Sequence, residues 1–302
     1  MFKNVLLDMG SRVDGPLMAR VAGFCARAGA ELTVLNVFAP PPDPVRAYFT
    51  GLARDPERIV LDSHEERMAE ALAGLGEAAG RVRREVRWGK DFIEAIRLVR
   101  EMGCDLLVPA SQPSPGTLGS TAMHLLRKCP CPVWVHRGDL WKGAVRLMAA
   151  VNVSDASDEN RALNRKIVEH AAALKGILGG RLHVVSCWAG FMEGVISGPR
   201  FSEQDRSEYL DYERELAERE FEALLASAGA GSVDKGRLLH GYPADTLANY
   251  AGEQKMDVVV MGTVARTGIP GLLVGNTAEK IVSALRQSIL AVKPDGFVSP
   301  VE

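Results

Sequence analysis

The chain of 302 residues carries one fold-sized internal repeat. Gly29-Ala-Glu-Leu-Thr-Val-Leu-Asn36 matches Gly179-Gly-Arg-Leu-His-Val-Val-Ser186, and Ile93–Ala110 runs without gaps against Asp245–Gly262. Gly119-Ser-Thr-Ala-Met-His124 matches Gly275-Asn-Thr-Ala-Glu-Lys280. Val5–Gly10 and Leu147–Asn152 open the two halves, and Pro132–His136 and Ser288–Val292 close them. A period of about 150 residues is a domain length rather than a solenoid period, so the chain must fold as two copies of one architecture. The polar, glycine-bearing link Arg137–Gly143 sets the boundary, giving domains 1–139 and 140–302.

Within each copy, short β-branched runs alternate with stretches of helical period. In the second copy, strands are predicted at Arg146–Val153, Leu182–Trp188, Lys235–His240, Asp257–Gly262 and Ile289–Lys293. Helices are predicted at Glu159–Leu178, Glu203–Ala228, Asp245–Gln254 and Asn276–Leu285. Strands that are apolar throughout, separated by helices, belong to a parallel sheet covered on both faces. Five such strands fit a doubly wound α/β sheet, in which ligands bind beyond the C-terminal strand ends where strand order reverses. In the charged helix Glu203–Ala228, Tyr209, Tyr212, Leu216, Phe221, Leu224 and Leu225 are expected to pack on the sheet.

Composition narrows the function classes. A net charge of -2, with no basic tract, argues against a nucleic-acid partner. No apolar run reaches the roughly 18 residues that span a bilayer. Five scattered cysteines fit a reducing cytoplasm better than a disulfide framework.

The stretch that carries chemistry is Val258-Val-Val-Met-Gly262-Thr-Val-Ala-Arg266, continuing through Gly268 and Gly271 to Gly275-Asn-Thr277. An apolar strand enters a glycine-rich loop that opens into an amphipathic helix. The first N–H groups of such a helix are unpaired and carry partial positive charge, and glycines let backbone close on an anion. Phosphates would then meet the amides around Gly275, Asn276 and Thr277, with Arg266 as a cation. The alternative is a plain helix start capped by Asn276. The loop is no Walker A sequence, since no Gly-Lys-Ser/Thr follows, and GxGxxG is absent.

These residues resemble the universal stress protein family, whose ATP-binding members carry Gly-x2-Gly-x9-Gly-Ser/Thr between the fourth strand and the last helix. Gly262 and Gly275 keep the outer spacing, Ala265 replaces the middle glycine, Asn276 stands at the Ser/Thr position, and Thr277 follows. Gly-Thr-Val-x-Arg-Thr-Gly-Ile269, with His124-Leu-Leu-Arg-Lys-Cys-Pro130 in the first half, resembles the tandem-domain type of this family. The resemblance implies two adenine nucleotide α-hydrolase-like domains, each a five-stranded parallel sheet with helices on both faces. It implies a cytoplasmic stress-response protein binding ATP in the second domain, with magnesium able to accompany the nucleotide. The implied contacts are Asn152, Val153, Met261, Gly262, Thr263, Ala265, Arg266, Gly275, Asn276 and Thr277. It also implies a pairing of the two domains like that of a single-domain family dimer, with room for a further homodimer.

The first half departs from the pattern. ATP-binding members place an Asp after the first strand. Asn152 stands there in the second half and Gly10 in the first, with Asp8 two residues earlier and expected on the wrong face of the strand. Ala110 replaces the first loop glycine. Only Ser111–Leu118 separate Ala110 from Gly119, where Thr263–Val274 separate Gly262 from Gly275, and Pro109, Pro113 and Pro115 stiffen the shorter loop. Nucleotide binding is therefore expected in the second domain alone. Cys129-Pro-Cys131 reads as core cysteines rather than a metal or redox pair. His183 and His240 share a domain without a ligand motif, and Gly241-Tyr-Pro243 reads as a turn beside the cleft. Glu279 reads as first-turn complement to the helix dipole. With no Ser/His/Asp set and no paired-carboxylate motif, no catalytic residue is assigned, so any ATP hydrolysis should be weak. The competing reading is an interaction or apolar-ligand module that has lost ATP binding. The apolar and proline-bearing loops Phe38–Phe49 and Trp188–Phe201 favour it.

Overall fold

The computed structural model describes residues 1–110, 118–137, 144–190, 193, 201–229, 231–263 and 275–302. The chain divides into two compact units, with the break between Val135 and His136. The first contains β1 (Asn4–Asp8), α1 (Gly15–Ala28), β2 (Glu31–Phe38), α2 (Asp43–Gly51) and α3 (Pro56–Ala73). A 3-10 helix (Gly76–Arg81), β3 (Val82–Trp88), α4 (Asp91–Met102), β4 (Leu106–Pro109), α5 (Ser120–Lys128) and β5 (Val133–Val135) complete it. The second contains β6 (Arg146–Val151), α6 (Asp158–Leu178), β7 (Arg181–Trp188), α7 (Glu203–Ser227) and β8 (Lys235–His240). It ends with α8 (Pro243–Glu253), β9 (Val258–Gly262), α9 (Asn276–Ala284) and β10 (Ser288–Val292).

The strand order is β3-β2-β1-β4-β5 in the first unit and β8-β7-β6-β9-β10 in the second, with the pairings within each unit parallel among the described residues. Order reverses between β1 and β4 and again between β6 and β9, which places one cleft mouth in each unit at those strand ends. The last two strands of the second unit are buried along almost their whole length: Val258–Met261 and all of β10 are covered. That coverage explains why these segments read as unbroken apolar runs.

The repeat shows in its fasteners. Asp105 accepts the N–H groups of Lys3 and Asn4 at 2.6 and 3.0 Å, and the matching Asp257 accepts that of Arg146 at 2.7 Å. Each aspartate pins the start of its unit's first strand beside the start of the fourth. Gly180 meets the same strand start more closely, since a Cβ there would lie 1.9 Å from the Val145 carbonyl oxygen.

The helices differ in how firmly they are seated. Phe221 and Leu224 of α7 are buried, yet Tyr212 is 58% and Leu216 37% exposed. The helix has a broad polar circumference, and those two residues fall outside the stripe that meets the sheet, contrary to expectation. None of the described helices is long and apolar enough to cross a membrane.

Candidate functional site

The cleft of the second unit grows out of the ends of β6 and β9. Just past β6, Asn152 is held from three sides. Its carbonyl accepts from Asn160 Nδ2 and Asn164 Nδ2, both at 2.7 Å, its N–H donates to Asn164 Oδ1 at 3.0 Å, and its own Oδ1 accepts the Ser154 N–H at 3.1 Å. Asn160 and Asn164 lie one turn apart on α6 and so share a face. With Oδ1 committed to Ser154, the Asn152 side chain has its Nδ2 donor left to offer.

At β9 the backbone itself forms the wall. A Cβ on Gly262 would lie 2.8 Å from Leu163 Cδ2, so α6 packs directly on bare backbone there. Opposite, α9 starts at Gly275, which adopts extended backbone (φ -66°, ψ 144°) and makes no side-chain cap. Asn276 is the first helical residue rather than the cap, so the plain capping reading fails at this helix. The Glu279 N–H closes the first helical bond onto the Gly275 carbonyl at 3.0 Å, which leaves the preceding amides for a ligand or water.

The cavity between these walls has a volume of about 480 Å³. Leu163, Ile167, Leu247, Met261 and Ile281 make its apolar side, and Asn152, Asn160, Asn164 and Thr277 its polar side. Among the described lining residues there is no carboxylate and no basic side chain. Such a cavity can accept an anionic group without like-charge repulsion while burying a planar apolar one.

Of the residues expected at the site, Asn152, Met261, Gly262, Gly275 and Thr277 line this cavity. Val153 does not: it is buried, with its N–H on Ser186 Oγ at 3.3 Å. Thr263 is buried too, its Oγ1 accepting from Lys293 Nζ at 2.6 Å. Ala265 and Arg266 lie outside the described residues. Sequence reading missed Asn160, Asn164, Leu163 and Cys187. The i, i+4 spacing of the two asparagines was the available signal for the first pair.

The corresponding cleft of the first unit is about half the size, near 250 Å³, and it is lined by charged side chains. Asp8 lines it together with Asp91, Gly10, Arg12 and Thr121. Asp8 therefore faces the cleft, contrary to expectation, because side chains two residues apart on a strand share a face. It is only 1% exposed. Burial first, and then the neighbouring Asp91 carboxyl, push the Asp8 carboxyl well above the usual carboxylate range, while the Gly10 N–H donated to Oδ1 at 3.1 Å opposes them. Both causes favour the neutral form of the Asp8 carboxyl.

The remaining candidates resolve into packing. Cys129 and Cys131 are buried thiols 3.5 Å apart, and burial raises the Cys131 thiol. His183 Nδ1 pairs with the Tyr250 hydroxyl at 2.9 Å, and His240 Nε2 with Glu193 at 3.3 Å, so each histidine has its own partner. No cluster of three or more metal-ligating side chains occurs among the described residues.

A doubly wound unit occurring twice, with a glycine-started helix at each switch point, is matched by a profile of the universal stress protein family over residues 1–137 and 155–293. The chain belongs to the universal stress protein family. Its tandem arrangement is similar to that of Universal stress protein E. The match to that protein from Escherichia coli K12 is 33% identical over 184 residues, and that from Salmonella typhi 32% over 187. Each match covers 60% of this chain and 57% of the relative's length. A crystal structure from Pseudomonas aeruginosa UCBPP-PA14 superposes with a TM-score of 0.68 at 25% identity, covering 97% of this chain and 94% of that one. A universal stress protein from Archaeoglobus fulgidus shares the fold, with a TM-score of 0.63 at 17% identity over 96% of this chain and 98% of that one.

Proposed function

We propose that this universal stress protein binds an adenine nucleotide, ATP in the first instance, in its second domain and acts in the cytoplasm. The domains are taken as 1–139 and 140–302, with only the latter loaded. The observation that carries this reading is the uncapped, glycine-started N-terminus of α9 opening onto a cavity whose described lining residues include no carboxylate. Phosphate oxygens would sit on the amides at Gly275, Asn276 and Thr277, with Arg266 as the expected cation. The base would lie against Leu163, Ile167 and Leu247, with the Asn152 donor near the ribose and base. The donor set does not fit a magnesium ion held by the protein, so magnesium would accompany ATP on its phosphate oxygens. With neither a base nor a metal carboxylate at hand, hydrolysis would be slow.

Titration calorimetry with ATP and magnesium, comparing wild type with Gly275→Val, tests the reading. Heat from wild type and none from the variant is the expected result. No heat from either would overturn it. That outcome would favour the second reading, an apolar-ligand or interaction module, for which the apolar side of the cavity is the specific support.

A further inference from the structure

The first domain contains a buried titratable group that its cleft does not use. His64 on α3 is 2% exposed, and its Nδ1 is buried without a hydrogen-bond partner. Its ring stands edge-on to Phe38 at the end of β2, with ring centroids 5.2 Å apart. Phe38 in turn touches Trp88 at the end of β3, at 5.7 Å. The element that carries it is thinly seated. Across the 18 residues of α3 only Pro56, His64 and Met68 are buried, and α2 buries none of its residues. Arg46 of α2 bonds Glu57 of α3 at 2.6 Å, so the two helices are tied to each other.

We propose that the α2–α3 hairpin is an acid-released strap, held on the first domain by neutral His64 and undocked when that ring takes up a proton. A second N–H placed in an aromatic pocket has no acceptor, and the new charge would meet two guanidinium groups against one carboxylate. The charged groups facing the ring are Arg67 and Glu65 from α3 and Arg84 from β3; β2 presents only the Phe38 ring. Burial holds the imidazole below its ordinary range, and Arg67 and Arg84 push the same way against Glu65. A histidine depressed in the docked state binds fewer protons there than when released. Docking is therefore fully supported above the free-histidine value, near 6.5, and weakens as pH falls below it.

The strap also adjoins the cleft mouth. Asn36, two residues before Phe38 on β2, donates from Nδ2 to the carbonyls of Gly10 and Arg12 at 2.9 Å each. Release would uncover the end of the strand that fixes the Gly10–Arg12 loop. The result would be a first domain that responds to acidification, independent of any nucleotide in the second.

Hydrogen exchange on the full chain tests this, with rates corrected for intrinsic pH dependence and read at pH 7.5, 6.5 and 5.0. In wild type, protection of peptides within 56–73 should fall about 10- to 30-fold from pH 7.5 to 5.0, the span one depressed histidine can supply. Peptides from β1 and β4 should stay within about twofold. In His64→Leu and His64→Gln the fall over 56–73 should shrink to about twofold or less. A flat wild-type profile would overturn the proposal without recourse to any variant. So would an undiminished fall in whichever of the two variants folds.

Discussion

The two clefts of this protein occupy the same place in the same fold, yet one is lined by charged side chains and the other, among its described lining residues, by none. At the end of the first strand, Asp8 stands in one cleft and Ala150 in the other. At the entrance of the helix after the third strand, Asp91 stands against Pro243. The first cleft thus carries two carboxyls in about 250 Å³, and the second none among its described lining residues in about 480 Å³. Both end in a helix started by an uncapped glycine, Gly119 or Gly275. A helix N-terminus acts together with what lies opposite it, because a carboxylate at close range opposes the half-charge of a helix end.

The largest effect that could break this comparison is in the glycines. Gly275→Val should weaken ATP binding at least about 100-fold, since a branched side chain would occupy the phosphate position. Gly119→Val should leave it unchanged, and equal losses in calorimetry would mean the clefts are not distinct. Next comes a transfer of charge. Ala150→Asp should bring the first cleft's repulsion into the second and cost about 10-fold or more in ATP affinity.

A smaller effect concerns the proton held by Asp8. A carboxyl raised in the folded state contributes stability that is fully present below its unfolded value, near 3.9. That contribution is lost as pH rises through the folded value. Wild type should therefore lose stability toward pH 8 in denaturant titrations. Asp8→Asn keeps an acceptor for Gly10 and a donor for Asp91, and should be about 1–2 kcal/mol more stable at pH 8 with a flatter profile. A steeper profile in the variant would show that the pair is not proton-sharing. The smallest effects lie in the clamp around Asn152. Asn164→Ala should cost about 1–2 kcal/mol of stability by leaving the Asn152 N–H and carbonyl less satisfied. Asn160→Ala, at a more exposed bond, should cost less than about 1 kcal/mol, and a reversed order in melting experiments would show that Asn160 is the main clamp.

Much of this was legible in the chain. The unbroken apolar runs at Val258–Met261 and Ile289–Val292 could only be central parallel strands, and Gly275 before an amphipathic stretch marked the start of α9. Asp105 and Asp257 were visible as a matched pair. Other features were not legible. Sequence reading put Asp8 on the wrong face, although strand parity alone would have placed it with the cleft. Asp91 carries no local signal, since its partner lies 83 positions away in the chain, from 8 to 91. Tyr212 and Leu216 look like core residues in an amphipathic helix, but which stripe of α7 meets the sheet depends on how the helix is rotated against it.

The sequence by itself determined two copies of a doubly wound α/β unit and put a glycine before the last helix of each. Periodicity and backbone freedom are local properties that survive without any tertiary contact. Only the tertiary structure decided which cleft brings two carboxyls together and which has none among its described lining residues. It also seated His64 in an aromatic pocket without an acceptor. Charge and desolvation act through space, between groups that chain order keeps far apart.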